Sequence, residues 1–343
     1  MNREDVMSRL LNAKQVLLSM QRHSWEHGTA INAVLETGDM KTLIRMSVEA
    51  AYRRGDDGRT AMVAANNAVT DPVSPGTGIL ASIDCLKANL EAIRGGKTPE
   101  ETTLGIPEED ILKALEILEP AAEGLVGWVQ EKAPRDKNGI LHHVMNAPEF
   151  WADSMYMLPP YLAAAGMKEE AAKQMTGYFD AMFDPKAGLL IHIANAETGV
   201  WTDPNHWATG NGWALMGYAM LLADPAIPKR EELLREYLLI LEGMLPWQTD
   251  DGLFHDILDN ADTFVDAAAP IMTAVSIYRG VKDGWLDRKY LAAAERMRQG
   301  AEARQDALGF IHGACGAPSF DKSGMSPEAQ ASFVMMEALA LQV

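Results

Sequence analysis

A lone acid sits among aromatic and thioether side chains in Trp151-Ala-Asp153-Ser-Met-Tyr-Met-Leu-Pro-Pro160. At the start of a helical pattern such an acid has two readings. It can be an N-cap that accepts bonds from the free N–H groups of the first turn. It can also be a proton donor, kept protonated near neutral pH by apolar surroundings. The flanking stretches hold more of the same chemistry: Gly139-Ile-Leu-His142-His143 before it, Gly188-Leu-Leu-Ile-His192 after it, and His206-Trp207-Ala-Thr-Gly210-Asn-Gly-Trp213 beyond. Trp25, Trp151, Trp207 and Trp213 each stand beside a Gly or polar residue and not within an apolar run. One such Trp is ordinary core. Four at loop-to-helix positions suit sugar rings, whose C–H faces stack on indole while their hydroxyls seek polar partners. No His pair has ligand spacing beside a carboxylate pair, so no metal is expected. Gly210-Asn-Gly212 has neither a preceding strand nor a following Lys or Ser/Thr, which argues against a phosphate loop and for a close backbone approach.

Helical periodicity runs through the chain that must position these groups. Val6, Leu10, Leu11 and Leu17 mark a first helix; Ile31, Val34 and Leu35 mark a second, after Ser24-Trp25-Glu26-His27-Gly28. A third covers about 40–54, with Gly55-Asp-Asp-Gly58 as its stop. Residues 64–78 read as loop, followed by a helix to about 93. Pro107 suits a helix N1 position with Glu108, Glu109 and Asp110 in a first turn whose dipole favours them, and that helix extends to about 132. Further patterns span the stretch after Trp151 and about 168–183, 211–223, 228–246, 264–281, 286–304 and 327–342. That makes twelve helices and no alternating segment long enough for a major sheet.

The loops repeat. Gly139, Gly188, Gly252 and Gly309 each precede two or three apolar residues and then a His (His142, His192, His255, His312), at spacings of 49, 64 and 57 residues. Such self-similarity marks a repeated supersecondary unit. A sixth of the chain is about 57 residues, enough for two helices and two loops. Six hairpins closing on themselves give an all-α (α/α)6 barrel, 1–343 forming one domain, with the Gly-apolar-His loops gathered at one open end. There they would line a shared cavity, and His143 and His192 are expected in it.

Composition narrows the function. The formal net charge is −18 with no basic stripe, which excludes nucleic acid as an expected partner. No run is long and apolar enough for a membrane span, and the first residues lead into an amphipathic pattern without a signal-peptide core, so a cytoplasmic protein is expected. Cys85 and Cys315 offer neither a disulfide framework nor metal spacing.

The motifs, in this order, resemble those of the unsaturated glucuronyl and rhamnogalacturonyl hydrolases, glycoside hydrolase families 88 and 105, with 105 the more similar. Ser24-Trp-Glu-His-Gly28 resembles the family's first-helix signature, and Trp151-Ala-Asp153-Ser-Met-Tyr-Met its Trp-x-Asp-x-x-(Tyr/Phe)-Met motif. Trp207-Ala-Thr-Gly-Asn-Gly-Trp213 is similar to Trp-x-Arg-Gly-Asn-Gly-Trp, and residues 262–272 and 309–316 resemble the C-terminal blocks. The resemblance implies an (α/α)6 barrel, with Asp153 as catalytic acid, His192 as a site histidine, and Trp207 and Trp213 against the sugar. It also implies a second site Asp in the loop before the fourth helix, for which Asp71 is the candidate. Trp25, His143, Trp151 and Asn211 are expected to contact substrate as well. Thr209 departs from the family Arg, which changes the substrate contacts expected there.

The implied substrate is a small oligosaccharide ending in the 4,5-unsaturated uronate that a polysaccharide lyase leaves, and the reaction needs no cofactor. An acid protonates C4, water adds at C5, and the resulting hemiketal opens to release the neighbouring sugar. Two other readings stay open. One is a different enzyme on the same barrel, a sugar epimerase or an inverting glycosidase, the latter needing a second carboxylate at about 6.5–9.5 Å. The other is a non-catalytic sugar-binding protein.

Overall fold

Six helices that are buried on most sides and six that are apolar along one face assemble into a ring of hairpins. The computed structural model describes residues 3–20 and 23–343; Met1, Asn2, Gln21 and Arg22 lie outside it. The outer helices are α1 (Arg3–Met20), α3 (Met40–Tyr52), α5 (Glu108–Gly127), α8 (Lys168–Met182), α10 (Arg230–Met244) and α12 (Leu291–Glu302). The inner ones are α2 (Ser24–Glu36), α4 (Gly76–Arg94), the pair α6 (Ser154–Met157) and α7 (Pro159–Ala164), α9 (Ala208–Leu222), α11 (Ala268–Lys282) and α13 (Pro327–Ala340). Pro159 cannot donate to the preceding turn, so the sixth helix of the repeat is broken in two. Inner neighbours pack in the order α2, α4, α7, α9, α11, α13 and back to α2, which closes the ring.

Sequence explains which helices go inside. α9, α11 and α13 carry almost no charge and are buried nearly all round, as a helix without a polar face must be. Their close approach needs small residues: a Cβ at Gly217 of α9 would lie 2.0 Å from the carbonyl oxygen of Met155. A second apolar cluster, including Ile44, Ile79, Leu86, Ile111 and Leu118, lies between α3, α4 and α5. The ring is sealed where first and last helices meet. Arg298 of α12 donates to both oxygens of buried Glu337 in α13 at 2.8 and 3.0 Å, and Arg9 of α1 bonds Glu302 at 3.0 Å.

Several boundaries differ from the periodicity. Pro107 is the N-cap and not N1. α9 starts at Ala208, three residues earlier than expected, because Gly210 and Gly212 are themselves helical; a Cβ at Gly210 would meet the Trp207 ring and Ala152, and one at Gly212 would meet Met272 of α11. Residues Val265–Asp266 form a short strand, so α11 starts at Ala268. α12 starts at Leu291, after a 3-10 turn at Arg288–Tyr290.

All four Gly-apolar-His loops run from the end of an outer helix to the start of an inner one, which places them on one rim. Each glycine has positive φ: 82° at Gly139, 70° at Gly188, 85° at Gly252 and 97° at Gly309. Gly58, at φ 102°, holds the same place between α3 and α4 without the apolar-His signature, so sequence shows it only as a helix stop. Three of the loops are pinned by an amide side chain: Gln174 accepts from Leu141 N at 2.9 Å, Asn211 from Leu190 N at 2.8 Å, and Gln330 from Ile311 N at 3.0 Å. No helix among the described residues is long and apolar enough to cross a membrane.

Candidate active site

The rim loops pair with one another and so bring distant residues together. Residues Glu149–Trp151, Ile193–Asn195 and Trp201–Asp203 form a three-stranded antiparallel sheet. Ala152 N donates to His192 O at 3.1 Å, which sets Asp153 next to His192. Val69 N donates to His143 O at 2.8 Å, which brings Asp71 to His143. Ala208 N donates to Asp256 O at 2.8 Å, which places Asp256 under Trp207.

The resulting cavity has two lobes of about 260 and 410 Å³ that share Trp151, Asp153, Trp207 and Phe320. The first lobe is lined by Trp25, Asp71, His143, Trp213 and Glu328, with Ala64–Ala68 along one side. The second is lined by His192, Asp203, Asp256, Ile257 and Asp321. Trp151 stacks on His143 with centroids 4.5 Å apart, and His192 lies 4.6 Å from the Trp207 ring. Among the described residues, no Lys or Arg lines either lobe.

Asp153 is not a helix cap. It occupies the N-cap position of α6, yet its side chain makes no capping bond and Oδ2 has no hydrogen-bond partner among the described residues. Its side chain keeps 17% exposure into the cavity, 3.9 Å from His192 Nε2. The apolar walls raise its pKa above the ordinary carboxylate value, partly opposed by His192. His192 is held in turn: its Nδ1–H donates to Asp203 at 2.8 Å, so Nε2 faces Asp153.

Asp71 lies 3.6 Å from His143 Nε2, and His143 Nδ1 is within 2.8 and 2.9 Å of the Thr70 and Ser154 hydroxyls. Burial pushes Asp71 up to about 8, with help from the charges of Asp153 and Glu328. Burial, then His192, pushes His143 down to about 3. Both are thus neutral near pH 7, and a hydroxyl donating to Nδ1 leaves the Nε2–H directed toward Asp71.

One expected site residue is placed elsewhere, and Thr209, which stands where the family has Arg, lies outside the cavity lining as well. Asn211 is 1% exposed and its amide is spent on the backbone of Leu190 and Trp207, so it pins a loop and does not line the cavity. Thr209 is also buried; its hydroxyl donates to Asp266 at 3.0 Å, and Asp266 also accepts from the N–H groups of Ala268, Ala269 and Cys315. Among the loop histidines, His142 packs edge-on against Phe150, His255 bonds Thr263 O at 2.8 Å and His312 bonds Asp306 at 2.9 Å, all outside the cavity lining. Sequence reading missed Glu328, Asp203, Asp256 and Phe320. Glu328 looked like an ordinary first-turn acid, and Asp256 directly follows a loop histidine, a signal that was available.

The buried acids couple the site to stability. A carboxyl whose folded-state pKa lies above its unfolded value binds its proton more tightly when folded. Its contribution is therefore complete below the unfolded pKa and is lost as pH rises through the folded one. For Asp71 and Glu328, with ordinary values of 3.8 and 4.5 and each pushed up to about 8, the loss begins near pH 4 and is complete a little above pH 8. The melting temperature is expected to drop over that window, and to drop less in the Asp71→Asn/Glu328→Gln protein. Equal drops in thermal unfolding would show that other groups are responsible.

Comparison with known proteins follows the same lines. The profile of Glycosyl Hydrolase Family 88 matches residues 113–333. The chain is 29% identical over 192 residues to the unsaturated rhamnogalacturonyl hydrolase YesR of Bacillus subtilis (strain 168), covering 51% of this chain and 54% of that protein. It is 26% identical over 206 residues to the unsaturated 3S-rhamnoglycuronyl hydrolase of Formosa agariphila, covering 52% and 53%. The chain thus matches about half the length of these curated relatives. A crystal structure from Klebsiella pneumoniae subsp. pneumoniae MGH 78578, described as a possible member of the GH105 family, superposes with a TM-score of 0.78 at 17% identity, over 99% of this chain and 94% of that one. That likeness shows the fold. With the family profile running over more than half of its length, the chain belongs to Glycosyl Hydrolase Family 88.

Proposed function

We propose that the protein removes a 4,5-unsaturated uronic acid from the non-reducing end of lyase-generated oligosaccharides, with Asp153 as the proton donor. The observation that carries this reading is the state of Asp153: a carboxyl with a raised pKa and a free oxygen, aimed into a cavity walled by indoles. The names of the two curated relatives support the substrate class.

The first lobe takes the terminal ring, with Trp25, Trp151, Trp207 and Trp213 around it. The Asp153 proton goes to C4, and the C4=C5 electron pair forms the new C–H bond. Positive charge develops at C5 and is shared by the ring oxygen. Water adds at C5 and returns a proton to the Asp153 carboxylate, regenerating the acid. The hemiketal then opens to a C5 ketone, and the hemiacetal left at C1 expels the next sugar. One molecule of water is consumed. His192, oriented by Asp203, is placed to hydrogen-bond the substrate through Nε2. Asp71 with His143 orients the ring and the attacking water.

The test is turnover of a panel of unsaturated disaccharides, read as loss of the ultraviolet absorbance of the conjugated enol ether. No loss on any member sinks the reading. Thr209 sets an expectation within the panel. Its buried hydroxyl offers substrate nothing, so the rhamnogalacturonan disaccharide should show a lower kcat/KM than another unsaturated uronyl disaccharide. A clear preference for the rhamnose-linked compound would show that Thr209 does not mark specificity.

A further inference from the structure

Glu328 is a buried cavity acid that the proposed chemistry does not use. It sits in the first turn of α13 and is 3% exposed. Trp25 Nε1 donates to its Oε1 at 3.3 Å, while Oε2 is buried with no hydrogen-bond partner among the described residues. A buried polar atom left unsatisfied is costly in a folded protein and calls for a reason. Here the reason is on the same wall: Glu328 lines the first lobe together with Trp25 and Asp71.

We propose that Glu328 Oε2 binds a ring hydroxyl of the terminal sugar, with Trp25 as the platform beside it, and so selects a terminal unsaturated uronate whose 2- and 3-hydroxyls are both free. This rests on the reading of the site given above. Such a ring has only those two hydroxyls, since C4 and C5 carry the double bond, C5 the carboxylate and C1 the linkage. A hydroxyl both donates and accepts, which suits a carboxyl in either protonation state. Burial, with the charges of Glu26 and Asp153, raises Glu328 to about 8, so near neutral pH it meets the sugar as an uncharged acid. A sulfate or phosphate ester at the same oxygen would instead bury an anion in a lobe where no Lys or Arg among the described residues lines the wall. A site built to bond a hydroxyl discriminates strongly against ligands that lack it, because its own polar group is then stranded.

The experiment uses the full chain and three neutral-ring probes: the unsaturated disaccharide and its 2-deoxy and 3-deoxy counterparts. Glu328→Met, which removes both oxygens, is expected to lower kcat/KM on the parent compound by roughly ten- to hundred-fold. On the deoxy compound that lacks the partner hydroxyl, the same substitution should cost almost nothing. Glu328→Gln, which keeps a donor and an acceptor, should recover most of the parent activity. A purely structural role of Glu328 beneath Trp25 predicts the same penalty on all three compounds, and that result overturns the proposal. Tryptophan-fluorescence titration gives a readout without turnover. Binding of the parent weakened by Glu328→Met, and binding of its 2-O-sulfated form weak in the native protein, are the expected results. If the native protein turns over none of the disaccharides, the functional reading falls, while the titration still decides on Glu328: binding indifferent to the substitution or to sulfation overturns the inference.

Discussion

Asp153→Asn is expected to abolish turnover and leave the fold untouched. An amide keeps the volume of the carboxyl but has no proton to give. General acid catalysis alone is worth roughly 10²- to 10⁴-fold, and protonation of carbon has no unassisted route to replace it. Stability should hardly change, because the Asp153 side chain makes no capping bond that could be lost. The thermal midpoint therefore serves as the control. Turnover by the native protein in D2O should place deuterium at C4 of the released keto-uronate. Direct hydrolysis at C1 would leave C4 unlabelled and the double bond in place. Product without the label, or an active Asp153→Asn protein, removes Asp153 from the proposed chemistry. Raised above its ordinary value, the Asp153 pKa also implies an alkaline limb: activity needs the protonated form and declines as pH rises through it.

The largest loss of stability is expected at the seam of the ring, in Arg298→Met. Arg298 is 5% exposed and binds both oxygens of Glu337, which is fully buried. Removing the guanidinium strands that carboxylate in the interior, where the next cation among the described residues is the more distant Arg9, at 3.7 Å. Breaking a buried pair in this way costs about 3–5 kcal/mol. Replacing both partners, as in Arg298→Met/Glu337→Leu, should recover much of it, because no uncompensated charge is left behind. Denaturant unfolding measures both. A loss below about 1 kcal/mol in the single variant would mean that water reaches Glu337, and that the pair is no seal.

The sequence by itself determined the repeat and therefore the barrel. Gly139, Gly188, Gly252 and Gly309 recur because each outer-to-inner turn needs a positive φ, which glycine adopts without strain. That constraint is local and shows in one dimension. The same holds for the isolation of Asp153 among aromatics, and for Trp25, Trp151, Trp207 and Trp213 at helix entries. Helix starts were less legible where a stretch is apolar all round, as in α9, since a helix without a polar face has no period to read. The assignment of roles needed tertiary structure. Asn211 and Gln330 look like polar residues free to meet a ligand, yet each is consumed by the backbone of the rim loop that precedes its own helix. Glu328 looks like a first-turn acid and lines the same lobe as Asp153, 175 residues earlier in the chain. Whether a polar side chain is satisfied depends on which partners folding brings to it, and spacing along the chain carries no record of them.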